Sequence, residues 1–244
     1  MFDERGRLQK ARKTVAVILH ALRASGQDPQ QATVLDIGCS TGILTHHYSD
    51  FFGRVVGIDI DDGAVEWARK NRTADNVEYR VGDSMDLPFS DPLFDVVTCT
   101  HIYEHVPDAQ RLLDEIFRVM RPGGFCYFAA ENRLRWWDGH YDLPLLTVLP
   151  KPLGDLYVRV MGRGAGRYET HSTVWGLRRL AGSFEITDYT KQVVRDPKLF
   201  EATDMVRAGT LKQKAALATL RLAYWAFPTY LWILRKPDGE WSQE

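Results

Sequence analysis

The stretch Val34-Leu35-Asp36-Ile37-Gly38-Cys39-Ser40-Thr41-Gly42 decides the fold. A short apolar run over 33–37 reads as a buried strand, and the glycines after it mark a tight turn. Ile43, Leu44, His47, Tyr48, Phe51 and Phe52 then recur at helical spacing. Strand, glycine turn and helix, in that order, form the nucleotide-binding start of a doubly wound α/β sheet. Glycine has no Cβ, so backbone N–H groups at the turn can approach a ligand closely. Ser40 or Thr41 is the expected helix cap, and Ser40 is expected in an ordinary backbone conformation. Taken alone, the stretch also fits an α/β domain with a chance glycine turn.

Working outward, Leu8, Ala11, Val15, Ile18, Leu19 and Leu22 repeat at helical spacing before the turn, and Ser25-Gly26 closes that helix. After it, a second strand over 54–58 ends in Asp59, 21 residues beyond Gly38. That places a carboxylate at a strand tip, where it can accept hydrogen bonds from both hydroxyls of a ribose. Asp61 or Asp62 caps the next helix. A third strand over 77–80 runs into Gly82-Asp83-Ser84-Met85. The fourth strand is Phe94-Asp95-Val96-Val97-Thr98-Cys99, followed by Thr100-His101-Ile102-Tyr103-Glu104-His105-Val106-Pro107-Asp108. A helix with Leu112, Leu113, Ile116, Phe117 and Met120 on one face comes next. Arg121-Pro122-Gly123-Gly124 stops it, and a fifth strand covers 125–130.

This succession resembles the class I S-adenosylmethionine-dependent methyltransferases, whose first motif sets an acidic residue before G-x-G-x-G. Ser40 stands where that pattern has its middle glycine. The resemblance is close over about 30–130 and architectural beyond. It implies the α/β fold class, a Rossmann-like doubly wound seven-stranded sheet, mainly parallel with an antiparallel last strand. It implies one domain over 1–244 with helical cap insertions at about 131–171 and 191–228. It also implies S-adenosylmethionine as cofactor, held by Asp36, Gly38, Ser40, Gly42, Asp59, Ile60, Asp83, Ser84 and Thr100. Asp83 matches the position that meets the adenine amino group, and the N-terminal helix is expected beside the cofactor pocket.

The remaining strands are read at 183–189 and 229–234. Ligands in open α/β sheets bind beyond the carboxyl ends of the parallel strands. Both insertions leave that edge, so they are expected to meet above the methyl donor as a mobile substrate cap. Trp136, Trp137, His140 and Tyr141 in the first, and Tyr224, Trp225 and Phe227 in the second, are the expected aromatic walls. Arg133, Arg163 and Arg207 are expected to meet an acidic group on the ligand. The alternative is that the insertions only cover a sheet edge.

Methyl transfer from a sulfonium needs an aligned nucleophile and exclusion of water, and an oxygen or nitrogen nucleophile also needs a base. His101, directly after the fourth strand, is the first candidate and His140 the second. Each has an alternative reading as a structural, hydrogen-bonding histidine. His101-x-x-Glu104-His105 also resembles the metal-holding E-x-x-E-H of ubiquinone-pathway O-methyltransferases and small-RNA 2′-O-methyltransferases, with His101 in place of the first glutamate. No further ligand can be named, so no metal is assigned.

The chain has 244 residues, 45% of them hydrophobic, enough for a sizeable core. A net charge of −1 argues against nucleic acid as partner. Cys39, Cys99 and Cys126 lack metal-site spacing and read as buried thiols of a reducing cytoplasm. The opening Met1-Phe2-Asp3-Glu4-Arg5 lacks the apolar core of a signal peptide. The apolar stretch 215–234 is interrupted by Arg221 and Pro228, which argues against a membrane span. Residues 205–236 carry six basic side chains and no acidic one. Arg207, Lys214 and Arg221 fall on one helical face and Leu217, Leu220, Tyr224 and Phe227 on another. This pattern suits either a solvated face or peripheral membrane contact through 205–227. The expected activity is S-adenosylmethionine-dependent methylation of a small-molecule acceptor, first of all O-methylation of a hydroxyl on a sugar, aromatic or lipid-like compound. Alternatives are C- or N-methylation of a quinone, lipid or amine, and a non-catalytic cofactor-binding partner subunit.

Overall fold

Five apolar runs become adjacent parallel strands in a computed structural model that describes residues 4–238. They are β1 (Thr33–Ile37), β2 (Arg54–Asp59), β3 (Val77–Val81), β4 (Phe94–Thr100) and β5 (Met120–Glu131). β6 (Trp137–Asp138) and β7 (Leu143–Pro144) form a separate two-stranded ribbon. β8 (Glu185–Asp188) and β9 (Thr229–Arg235) complete the main sheet, whose order is β3-β2-β1-β4-β5-β9-β8. β9 runs antiparallel to both of its neighbours, and the other pairings are parallel. The chain reverses its winding between β1 and β4, and the carboxyl ends of these strands flank the crevice that such folds use for ligands.

The central strands β1, β2, β4 and β5 are buried on both faces, as parallel strands covered by helices must be, whereas the edge strands β3 and β8 are largely open. Val96, Phe125 and Tyr127 face α1 (Glu4–Ala24), meeting Ala11, Val15, Ile18 and Leu22. Val97, Cys126 and Phe128 face the opposite layer. There α4 (Ala109–Val119) contributes Leu112, Leu113 and Ile116 and α6 (Val174–Leu180) contributes Leu177. Asp108 caps α4 by accepting from the N–H groups of Gln110 and Arg111, and Asp61 caps α3 (Asp62–Asn71) through the N–H of Ala64. All three cysteines are buried and free.

Several local expectations are corrected. Helix α2 (Ile43–Tyr48) starts from Gly42 at φ 71° with no side-chain cap, so neither Ser40 nor Thr41 caps it. Ser40 is not in an ordinary conformation but left-handed, φ 49°. Its N–H donates to Asp59 Oδ2 at 2.7 Å, which compensates the strain of that geometry. The fifth strand begins at Met120 rather than 125, because Gly123 takes φ 73° and the β4–β5 register shifts between Phe94 and Val96. Helix α5 (Lys151–Val160) lies within the first insertion. The second holds α7 (Thr190–Arg195) and α8 (Leu211–Leu222). Arg207 precedes α8, which Thr210 caps, so only Lys214 and Arg221 of the basic trio share a helix. No described helix is long and apolar enough to cross a membrane. Met1, Phe2 and Asp3 of the opening stretch lie outside the described residues.

Candidate active site

The turn after β1 is shaped by contacts that leave no room for a Cβ. At Gly38, φ 73°, a Cβ would sit 2.2 Å from Ile102 Cδ1. At Gly42 it would meet the Tyr79 ring at 2.7 Å. Gly38 borders a crevice of about 260 Å³ together with Asp59, Ile60, Asp83, Ser84, Ile102 and His105. Asp59 is held by the N–H groups of Ser40 and Asp61, one on each oxygen, at 2.7 and 3.0 Å. Each oxygen keeps a second lone pair for a ligand hydroxyl. Asp83 Oδ1 accepts from the N–H of Met85 at 2.8 Å. Ile60, 72% exposed beside these carboxylates, offers an apolar face that a flat ring could cover. A glycine cradle, two carboxylates and an apolar lid suit a nucleoside.

Not every predicted cofactor residue reaches this crevice. Gly42 serves close packing against Tyr79, and Ser40 acts through its backbone on Asp59. Asp36 lies beneath the turn, 3% exposed, accepting from Thr45 Oγ1 and Thr98 Oγ1 at 2.6 Å each. Burial pushes its carboxyl up to about 6, against the pull of these two hydroxyls and with help from the charge of Asp59. Thr100 borders a second, larger cavity instead.

That cavity, about 570 Å³, takes Thr100 and His101 from the segment 100–107, whose Ile102, His105, Val106 and Pro107 border the smaller crevice. Tyr127, Ala129, Val193, Val206, Phe227 and Leu231 supply much of its apolar wall, while Lys10, Lys13 and Lys212 also border it. His101 and Glu131 line it as well. His101 sits at φ 57°, with its N–H donating to the carbonyl of Ala129 at 2.9 Å. Its Nδ1 lies 3.4 Å from Glu104 Oε1 and 3.9 Å from Glu131 Oε1. Glu104 is 1% exposed, and neither of its carboxylate oxygens has a hydrogen-bond partner. Glu131 is anchored by Arg135 Nη1, and His171 Nε2 lies 3.3 Å from its Oε2. Burial alone would raise the Glu131 carboxyl. The His171 contact and the charges of Arg135, His101 and His171 outweigh it and hold the group down at about 2.

Glu131 was missed from the sequence, where nothing in its spacing links it to His101. The link is topological, since neighbouring β4 and β5 end at the same edge. His101, Glu104 and Glu131 offer atoms within 4.8 Å of one another, a set that can move a proton or hold a cation. His105 is not part of it. Its ring stacks on Tyr168 at 5.9 Å and meets the ring of His140 edge-on at 5.5 Å. His140, 3.7 Å from Glu169, borders neither cavity.

The expected cap is also redrawn. Both insertions reach the carboxyl edge, where Asn132 Nδ2 donates to the carbonyls of Trp225 and Phe227 at 2.7 and 2.8 Å. The large cavity, however, is walled by the sheet strands β4, β5 and β9, the second insertion and α1. Arg135 turns inward to Glu131 and Asp138, which leaves Trp136 and Trp137 exposed and packed on each other. Of the arginines, Arg163 pairs with Asp142 at 3.3 Å and Arg133 borders a separate recess, so neither reaches the cavity; nor does Arg207.

Comparison with known proteins agrees with this geometry. A methyltransferase-domain family model matches residues 35–128. The demethylmenaquinone methyltransferase of Lactococcus lactis is 31% identical over 173 residues, covering 65% of this chain and 68% of that protein. The ubiquinone biosynthesis O-methyltransferase of Coxiella burnetii is 31% identical over 102 residues, 41% of this chain and 44% of that protein. The chain thus spans about two thirds of one relative and less than half of the other. An S-adenosylmethionine-dependent methyltransferase from Mesorhizobium loti shares the fold, with a TM-score of 0.57 and 17% identity over 89% of this chain and 96% of that one. The chain belongs to the class I S-adenosylmethionine-dependent methyltransferases. Its cofactor is S-adenosylmethionine, and it is a methyltransferase enzyme.

Proposed function

We propose that the enzyme O-methylates a hydroxyl on a small, largely apolar acceptor seated in the 570 Å³ cavity, with His101 taking the proton. The observation that carries this reading is the buried, unpartnered Glu104 carboxylate 3.4 Å behind His101 Nδ1. A carboxylate there orients the imidazole and favours the ring once it has gained a proton. Glu131 adds a second negative charge on the same side. The names of the relatives favour a quinone-type aromatic acceptor, and the cavity's apolar walls suit such a ring.

S-adenosylmethionine supplies an activated methyl group on a sulfonium centre. In this reading the smaller crevice holds its nucleoside, with Asp59 on the ribose hydroxyls, Asp83 and Ser84 at the base, and Ile60 against the ring. Gly38 lets the backbone come close, and Thr100 faces the acceptor side. The chain's own contribution is to align the acceptor hydroxyl, keep water out with Phe227 and its apolar neighbours, and remove the proton.

The test is to supply the enzyme with methyl-labelled cofactor and a panel of hydroxylated aromatics and quinols, and to identify the product by mass spectrometry. A methyl ether is expected. A product whose label resists ether cleavage would assign carbon methylation instead.

A further inference from the structure

The acceptor cavity is apolar along much of its wall and is bordered by three lysines. Lys10 and Lys13 come from α1 and Lys212 from α8, elements at opposite ends of the chain. Lys13 is already satisfied by Asp204 at 2.9 Å. Neither Lys10 nor Lys212 has a carboxylate within ion-pair reach among the described residues. The one carboxylate bordering the cavity, Glu131, is engaged by Arg135 and by His171. Two ammonium groups without an ion-pair partner among the described residues thus border a hydrophobic cavity, and Lys10 also feels the charges of Glu131 and Glu104.

From this juxtaposition we infer that the acceptor is an anionic amphiphile, with its apolar body in the cavity and a carboxylate, sulfate or phosphate group on Lys10 and Lys212. The inference rests on the cavity being the acceptor site. Desolvation lowers the pKa of Lys10, an effect that the charges of Glu131 and Glu104 oppose. An anion bound there would offset that cost while leaving the ammonium charged, and a charge-assisted hydrogen bond is about twice as strong as a neutral one. The arginines expected for this task from the sequence point elsewhere, and lysines from α1 and α8 take their place.

The experiment is calorimetry on the full chain saturated with S-adenosylhomocysteine, titrated with decanoate, decanol and decyltrimethylammonium. Decanoate is expected to bind about tenfold more tightly than decanol, a difference of about 1.4 kcal/mol, and the cation most weakly. In the Lys10→Gln/Lys212→Gln double variant the preference for decanoate over decanol is expected to vanish, while decanol binds as before. Equal binding of decanoate and decanol by the unaltered enzyme would overturn the inference and leave the acceptor site standing. Binding of none of the three would instead sink the assignment of the cavity as acceptor site. A loss of S-adenosylhomocysteine affinity in Lys10→Gln would place that lysine on the cofactor's own carboxylate, and so overturn the inference as well.

Discussion

Glu104 Oε1 lies 3.4 Å from Nδ1 of His101, and this buried carboxylate has no hydrogen-bond partner among the described residues. Desolvating a carboxylate without satisfying it is costly, so its retention points to the histidine beside it. His101→Ala is expected to lower kcat by about 10²–10⁴-fold, the range for a lost general base. Glu104→Gln keeps the shape and removes the charge, and a smaller loss of about 10–10²-fold is expected. Equilibrium binding of S-adenosylhomocysteine should be unchanged in both. Near-normal turnover in His101→Ala would make the histidine structural.

Asp59 ties the glycine turn to the crevice, since its two oxygens take the N–H groups of Ser40 and Asp61. Asp59→Ala is expected to weaken cofactor binding by about 1.5–3 kcal/mol, the scale of hydrogen bonds to a charged group. Ser40→Gly should leave binding intact, because glycine accepts the left-handed geometry, whereas Ser40→Val should cost stability of about 1–2 kcal/mol. Calorimetry and thermal unfolding separate the two effects.

Asp36 predicts a pH signature. Its folded-state carboxyl is raised from 3.8 to about 6, so the fold prefers it protonated. Above pH 6 both folded and unfolded forms are ionised, and the buried charge costs about 2–3 kcal/mol. As pH falls from 6 toward 4 the folded form takes up the proton and that cost disappears. Relative to Asp36→Asn, the unaltered enzyme should therefore gain stability between pH 7 and pH 4. A difference that stays flat over this window in denaturant titrations would refute the assignment.

The aromatic pairs of the two insertions should behave differently. Trp136 and Trp137 are solvent-exposed and border neither cavity, so changing both to alanine is expected to alter kcat/KM less than twofold. Phe227 forms part of the wall of the 570 Å³ cavity. Phe227→Ala should raise KM for an apolar acceptor by about tenfold or more, as a lost buried aromatic would. Steady-state kinetics with one acceptor decides between them.

Activity is expected to survive a chelator. Arg135 and His171 already engage Glu131, and Lys10 adds positive charge to the neighbourhood, all of which disfavours a cation at the trio. Loss of turnover with EDTA and its recovery with Mg²⁺ would make His101, Glu104 and Glu131 a ligand set.

The parallel strands could be read from the sequence because each apolar run is bounded on at least one side by a glycine, an aspartate or a proline, while their assembly into a doubly wound sheet was implied by the family resemblance. Asp59 and Asp83 were legible for the same reason: a strand tip is a fixed address. Glu131 was not, because its partnership with His101 comes from two strands ending side by side, a relation that no local spacing records. The orientation of Trp136 and Trp137 was hidden too. It depends on Arg135 turning inward to Glu131 and Asp138, and charge satisfaction in a folded loop overrides hydrophobic pattern. The left-handed Ser40 was misread because its compensation, the bond to Asp59, is a tertiary contact.

The antiparallel β9 has a consequence for the order in which the molecule can be made. It pairs on both sides, with β5 and with β8, and it also contributes Leu231 to the wall of the 570 Å³ cavity that Lys10 of the first helix borders. During synthesis, β1 to β5 and the nucleoside crevice can assemble while the ribosome is still reading the second insertion. The outer edge of β5 stays unpaired until residues 229–235 emerge, and an open apolar strand edge invites misassociation. Nascent chains should then bind cofactor before they bind acceptor, and need chaperone shielding in between. The two halves of the active site would come into existence at different moments.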